Sequence, residues 1–235
     1  MPTAVVMTGG GVKAAVAAAR FAVDHELVLL HIDYGQRSSK AELEAIHALA
    51  TIFDSAHVIS LDMPHAGQLQ QQLANQAGES ARDYTSGVIH SGSLSESTLR
   101  GLFPVLLSTG LQCATRVGAV ILAVGVSRYA DSSHVGWPLG AGHQDYQREM
   151  LHAFGIMAEA VLGQTATPKI EAPLLDVSYQ EIFKLASNMK VLLDRTWSCE
   201  RPGPRACGRC SRCKLRLEAL AGAGLSEDAV AKTAG

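Results

Sequence analysis

Four cysteines crowd into fifteen residues near the C-terminal end of this 235-residue chain, in the segment TWSCERPGPRACGRCSRCKLR. Cys199, Cys207, Cys210 and Cys213 have the spacing Cys-x7-Cys-x2-Cys-x2-Cys. No other feature restricts the fold as much. A Cys-x2-Cys turn brings two sulfurs together only if the intervening backbone is tight, and Gly208 supplies the conformational freedom for that. Zinc requires four ligands in a tetrahedron, and thiolates suit it well. Four cysteines with no His or carboxylate close the shell, so the spacing predicts a structural zinc site with no open position for water. A chance cluster of free thiols and a redox role for Cys207 and Cys210 are the competing readings; a redox pair normally opens a helix after a strand. The neighbouring Arg201, Arg205, Arg209, Arg212, Lys214 and Arg216 offset the charge of four thiolates, or face a phosphate or nucleic acid. Cys113 sits in an apolar helical context and is expected in the core.

Apolar residues make up 47% of the chain and charged ones 18%, so a packed core is expected. A formal charge of −2 gives no global reason to expect nucleic acid or an anionic membrane as partner. The most apolar run, Val117 to Val126, is ten residues long. It is too short to span a bilayer and is expected to be a buried strand. The sequence MPTAVVMTGGG lacks the basic start and long apolar stretch of a signal peptide. Clustered cysteines then point to metal ligands in a reducing compartment, and a cytoplasmic location is expected.

Along the chain, strands alternate with helices. Thr3 to Met7 is a short apolar strand, broken by Thr8, Gly9, Gly10 and Gly11, and the alanine-rich stretch from Lys13 to His25 favours a helix. Leu27 to Asp33 is continuously apolar, as expected of a strand covered on both faces. Ser39 to Phe53 has helical spacing, with Ser39 as cap and Glu42 placed for a capping box. His57 to Leu61 and Ala119 to Val124 are further strands; Thr98 to Thr115, His143 to Leu162 and Ser178 to Met189 are helices. Pro64 to Ser97 is rich in Gln, Ser, Gly and Asn and suits a surface excursion or a lid, and 127–142 is a Gly/Ser-rich loop. The alternation predicts an α/β fold with a doubly wound parallel sheet, whose ligands lie beyond the carboxyl ends of the strands. The expected organisation is an α/β domain over residues 1–190 and a C-terminal zinc-knuckle and helix segment over 191–235.

A glycine-rich turn between a first strand and first helix is where α/β proteins bind phosphate, because backbone N–H groups and the helix dipole point at the anion. The run from Thr8 to Lys13 stands there, without the Gly-Lys-Ser/Thr ending of a P-loop or the spacing of a dinucleotide fingerprint. A plain turn is the alternative.

Four pieces occur in order: the glycine turn, Asp33-Tyr34-Gly35-Gln36-Arg37, Ala172-Pro173-Leu174, and Thr196-Trp197-Ser198-Cys199 entering the cysteine cluster. Together they resemble the 7-cyano-7-deazaguanine synthase family, a branch of the PP-loop ATP pyrophosphatases, over about Val5 to Leu220. The resemblance implies an adenine nucleotide alpha hydrolase-like sheet, ATP and magnesium as cofactors beside zinc, and a homodimer. It implies that ATP activates 7-carboxy-7-deazaguanine as an acyl-adenylate, that ammonia gives the amide, and that a second ATP-dependent step dehydrates it to the nitrile. Membrane and nucleic-acid partners are not expected.

Carried over by position, the resemblance makes Thr8, Gly9, Gly10, Gly11, Tyr34, Gln36 and Arg37 nucleotide-binding candidates, and Lys13 and Arg100 catalytic ones. The family turn reads Ser-Gly-Gly-x-Asp-Ser, its aspartate directing magnesium; here Val12 and Lys13 take the last two places, and Gly101 replaces an asparagine after Arg100. A Tyr-Pro-Asp segment that reads the deazaguanine has two counterparts, Trp137-Pro138-Leu139 and His143-Gln144-Asp145. The second keeps the acid and leads into Arg148 and Glu149, making Asp145 and Arg148 the substrate candidates. Asp145 is equally a first-turn acid favoured by the helix dipole. A diverged ligase for another carboxylate, and a binding homologue without ATP chemistry, remain open beside the family reaction.

Overall fold

The computed structural model describes residues 1–53, 56–63, 94–127, 144–201 and 203–226; within these, only the backbone is described for 94–101, 144–147 and Ser211. Its elements run β1 (Thr3–Met7), α1 (Val12–Phe21), β2 (Glu26–Asp33), α2 (Ser39–Ala50), β3 (Ala56–Asp62), α3 (Leu94–Arg116), β4 (Ile121–Val124), α4 (Gln144–Leu162), β5 (Lys169–Glu171), α5 (Tyr179–Asn188), a 3-10 turn (Leu193–Arg195) and α6 (Ser211–Gly222). The five strands form one parallel sheet in the order β3-β2-β1-β4-β5. The chain moves outward from β1 to β3, then crosses to β4 on the other side of β1. The strand order therefore reverses at the carboxyl ends of β1 and β4, where doubly wound sheets open a crevice for ligands.

Both faces of the sheet are covered, which explains the continuous apolarity of β2. Val5, Val28, Leu30, Leu122 and Val124 pack on Leu107 of α3 and on Leu151 and Phe154 of α4. Ala4, Val6, Leu27, Leu29 and Ala123 pack on Ala17 and Ala18 of α1 and Ile46 of α2. Val5 faces one way and its neighbours Ala4 and Val6 the other, the period of two a strand imposes. Cys113 is buried in the first of these clusters, as its sequence context suggests. A third cluster lies away from the sheet: Val12, Ala15 and Val16 of α1 meet Ile182, Phe183 and Ala186 of α5 and Ala219 and Leu220 of α6.

Several element ends differ from the sequence expectation. The first helix ends at Phe21 rather than His25, because Glu26 must already donate its N–H to Pro2 O (2.9 Å) to start β2. α2 has Ser38, not Ser39, at its N-cap, and no capping box forms; Ser38 Oγ instead donates to Glu42 Oε1 at 2.6 Å. Ser39 Oγ is taken by Asp33 Oδ2 (2.5 Å). The strand expected from Ala119 begins only at Ile121. β5 has no counterpart among the expected strands: its three residues, Lys169 to Glu171, are too few and too charged to show a pattern. α5 begins after Ser178 with a full capping box, Glu181 N–H to Ser178 Oγ at 3.2 Å and Ser178 N–H to Glu181 Oε2 at 3.0 Å. The excursion expected over Pro64 to Ser97 falls outside the described residues up to position 93, as does the 127–142 loop from position 128.

Gly125, directly after β4, is pressed against the start of α1. A methyl group there would stand 2.8 Å from Ala14 N and 3.0 Å from the Lys13 carbonyl carbon. Backbone cannot swing aside as a side-chain tip can, so Gly125→Ala is expected to destabilise the fold by about 1–3 kcal/mol. Thermal unfolding should register this as a drop of about 3–10 °C.

Candidate functional site

The glycine turn follows from how close β1 and α2 approach. Thr8 N–H donates to Leu30 O (2.8 Å), extending the β1–β2 ladder, and Thr8 Oγ1 then accepts the Gly10 N–H at 3.0 Å. This hydroxyl-to-backbone bond forms a compact turn. Gly10 has φ +70°, and a methyl group there would meet Glu42 O at 2.8 Å and Ala45 Cβ at 2.9 Å. Glycine is required both by the left-handed backbone and by the space. Gly11 is the N-cap of α1, with extended backbone, no side-chain cap and no acidic residue in the first turn. Gly11 offers the first N–H groups of α1 no side-chain cap, and they stand at the positive end of the helix dipole.

Beneath this turn lies a buried polar network. His31, 1% exposed, is the single polar residue inside the apolar run of β2. Its Nε2 lies 3.3 Å from Glu42 Oε2 and its Nδ1 3.2 Å from Ser60 Oγ. Gln36 Nε2 donates to the same Glu42 oxygen (3.0 Å) and to Ile32 O (3.1 Å), while Gln36 Oε1 accepts the Tyr34 N–H at 2.9 Å. Burial works against a charged Glu42, but hydrogen bonds from His31, Ser38 and Gln36 outweigh it and hold the carboxyl below the usual range. An ionised carboxylate only accepts, so a His31 proton on Nε2 suits the Glu42 contact and leaves Nδ1 to accept from Ser60 Oγ. Glu42 Oε2 also lies 3.4 Å from where a Gly9 methyl would stand, so the network props up the turn from below. Sequence reasoning singles out neither His31 nor Glu42 for this role; a lone histidine within LVLLHID is the available signal.

Of the other candidates, Lys13 is half-buried with its Nζ over the Tyr179 ring, 5.8 Å from the centroid. Burial, with Arg212 nearby, lowers its ammonium to about 8. Val12 is buried in the helical cluster. Arg37 is exposed, and Gly35 turns at φ +91° with its N–H on Asp33 Oδ1 (2.8 Å). Arg100 lies in α3 and Asp145 in the first turn of α4, their side chains outside the described set. Arg148 is exposed and paired to Asp176 Oδ2 at 2.6 Å. Trp137 to Leu139 lie outside the described residues.

The cysteine knuckle meets the turn directly. Trp197 N–H donates to Gly10 O at 2.8 Å, and Trp197 Nε1 donates to Cys199 O at 2.7 Å. The four Sγ atoms of Cys199, Cys207, Cys210 and Cys213 lie within 4.8 Å of one another, and the Cys207–Cys213 pair is 4.0 Å apart. A ZnS4 tetrahedron with bonds of about 2.3 Å has edges of about 3.8 Å, so the donor set fits a single tetrahedral metal. Backbone N–H groups already point at the sulfurs: Arg201 and Cys207 at Cys199 Sγ (both 3.4 Å), and Cys210 at Cys207 Sγ (3.3 Å). Burial opposes ionisation of Cys207, but the Arg209 and Cys210 N–H groups and the thiols of Cys199 and Cys210 outweigh it and hold it at about 6. Gly208 has φ +67°, the left-handed residue the Cys-x2-Cys turn requires. Arg216, grouped from sequence with the surface cations, is instead buried. It donates to Thr196 Oγ1 and Leu193 O (both 2.8 Å) and lies over the Phe183 ring, tying α6 to the strand-like entry of the knuckle.

Similarity to known proteins extends over nearly the whole chain. It is 28% identical over 229 residues to a 7-cyano-7-deazaguanine synthase of a Nitratiruptor species, covering 95% of this chain and 96% of the relative. It is 32% identical over 233 residues to a 7-cyano-7-deazaguanine synthase of Synechococcus sp. (strain CC9311), covering 94% of each. Among solved structures, the U34-tRNA thiolase NcsA from Methanococcus maripaludis aligns with a TM-score of 0.47 at 11% identity, over 99% of this chain and 71% of that one. The profile of the family described as queuosine biosynthesis protein QueC matches residues 3–224. With a parallel sheet, a glycine turn at its switch point and a four-cysteine cluster beside it, the chain belongs to the QueC family.

Proposed function

We propose that this chain is an ATP-dependent ligase that converts 7-carboxy-7-deazaguanine and ammonia to 7-cyano-7-deazaguanine, with the nucleotide phosphates seated at the glycine turn. The observation that carries the reading is the uncapped N-terminus of α1 at the sheet's switch point, with no acid in its first turn and Lys13 held half-buried beside it. A carboxylate is a poor electrophile. Its oxygen attacks the α-phosphorus of ATP and pyrophosphate leaves; ammonia then adds to the acyl carbon and AMP leaves, giving the amide. In the second round the amide oxygen attacks the α-phosphorus of another ATP and pyrophosphate leaves again. Loss of AMP and the nitrogen-bound protons then forms the nitrile. Negative charge develops on the phosphates in both rounds, and fixed N–H donors with a cation stabilise it.

In this reading Thr8, Gly9, Gly10 and Gly11 shape the phosphate cradle, and Lys13 neutralises it. Tyr34 and Arg37 line the rim and Gln36 sets their loop; Arg100, Asp145 and Arg148 contribute from the other side of the crevice. Cys199, Cys207, Cys210 and Cys213 hold one structural zinc, which is closed to substrate. The working unit is a cytoplasmic homodimer. A second reading, a diverged ligase that activates another carboxylate, is favoured by the burial of Val12 where the family carries its magnesium-directing aspartate. Val12→Asp would place a carboxylate among apolar side chains, so it is a poor restoration test.

The deciding experiment incubates the purified protein with 7-carboxy-7-deazaguanine, ammonium and ATP and follows products by mass spectrometry. Amide and then nitrile are expected; ATP hydrolysis without either would leave the diverged reading, and no ATP binding would end both. Metal analysis should return one zinc per chain. Cys210→Ser should lose it and lower the melting temperature by about 10 °C or more. A third measurement uses pH. Lys13 titrates near 8 in the free protein, and a bound phosphate would raise that value. ATP affinity should be flat below pH 8 and then fall, approaching about tenfold per pH unit, with proton uptake on binding. In Lys13→Met the affinity should be lower and this pH dependence absent. The same variant should melt higher without nucleotide at neutral pH, because folding disfavours the charged form of the half-buried Lys13.

A further inference from the structure

The knuckle reaches the glycine turn through one residue. Trp197 donates its main-chain N–H to Gly10 O at 2.8 Å, and its carbonyl oxygen lies 3.5 Å from where a methyl group on Gly11 would stand. Its main chain thus lies against both residues that lead into α1. On one side of Trp197 the chain is held by protein alone: Arg216 donates to Thr196 Oγ1 and to Leu193 O, both at 2.8 Å. On the other side stands the ligand Cys199. The Trp197 indole closes that interval, its Nε1 donating to Cys199 O at 2.7 Å. The side chain also packs against the buried cluster of Cys199, Cys210 and Cys213.

A bond from the indole to the Cys199 carbonyl fixes the main chain between them, and with it the direction of the Trp197 N–H. That stretch is only as still as its Cys199 end. The four cysteines are free of disulfides, so a bound tetrahedral ion is what turns them into a fixed wall for the indole. We propose that Trp197 is a positioning residue of the nucleotide site, holding the Gly10 peptide in register with the knuckle, so that a metal on the four cysteines and a phosphate at the glycine turn bind cooperatively. The link is a hydrogen bond to Gly10 O, and the net worth of one such bond corresponds to a coupling of about threefold to tenfold. The coupling is reciprocal: each ligand tightens the other by the same factor. The inference rests on the reading of the turn as the ATP phosphate site. It adds that the metal, though closed to substrate, acts on ATP through the main chain of Trp197.

The test measures zinc saturation of the full chain, with free zinc held by a metal buffer, alone and with α,β-methylene ATP or adenosine. Each ligand is used at the same multiple of its own dissociation constant, so that stabilisation of the folded state alone acts equally for both. The ATP analogue should lower the free zinc needed for half-saturation by about threefold to tenfold, and adenosine by less than about twofold. Trp197→Phe keeps an aromatic ring on the sulfurs and loses the indole donor. Zinc-loaded, this variant should bind the analogue about threefold to tenfold more weakly, with adenosine unchanged. The effect of the analogue on its zinc affinity should fall below about twofold. The wild-type measurement stands by itself if the variant does not fold. Zinc binding that is indifferent to the analogue, or tightened equally by analogue and adenosine, overturns the proposal. A Trp197→Phe protein that keeps both the affinity and the coupling overturns it as well. If the zinc-loaded wild type binds the analogue no more tightly than adenosine, the phosphates have no seat at the turn; the reading of the turn then fails, and the proposal with it.

Discussion

The peptide of Gly10 is where the molecule's separate parts are joined. Its N–H is taken by Thr8 Oγ1, its left-handed φ turns the chain from β1 toward α1, and its Cα passes so close to α2 that a methyl group would strike Glu42 O. Its carbonyl accepts the Trp197 N–H, 187 positions later in sequence, at the entrance to the cysteine knuckle. One residue thus links β1, the start of α1, α2 and the C-terminal segment. Everything proposed for the site depends on that peptide staying where it is, because the N–H groups of α1 point at a ligand only if the turn holds its shape.

Two kinds of support keep it there. From below, the Glu42 carboxylate is fixed by Ser38, Gln36 and His31, a network in which the buried charge accepts several hydrogen bonds. From the side, the buried Arg216 guanidinium ties α6 to Thr196 and Leu193, so the knuckle entry is anchored independently of any metal. A tetrahedral metal on the four sulfurs would add a rigid cross-link outside this anchor. The consequence for chemistry is preorganisation: N–H donors and cations set before the ligand arrives need not be reorganised when charge develops. Lys13 shows the opposing cost, since the burial that positions its ammonium also lowers its pKa.

Sequence reading recovers the element order because the cues are local. Continuous apolarity marks β2, and the glycine run marks the break after β1. It fails where partners are distant or the segment is short. β5 is an edge strand of three residues defined only by its pairing to β4. Ser38 and Ser39 exchange their expected roles because Asp33 and Glu42 compete for their hydroxyls. Arg216 looks like one more basic residue of the knuckle until Leu193, Thr196 and Phe183 close around it.

The sequence by itself determined the metal-binding constellation, since Cys-x2-Cys spacing and Gly208 confine the sulfurs to one small volume whatever surrounds them. It also determined the parallel α/β class and, through the order of its motifs, the family. Only the tertiary structure decided that the knuckle abuts the glycine turn, that Glu42 and His31 lie beneath it, and that Val12 belongs to the core. Those relations come from packing between residues far apart in the chain. No local spacing encodes such contacts, because they depend on how α1, α5 and α6 share one apolar cluster.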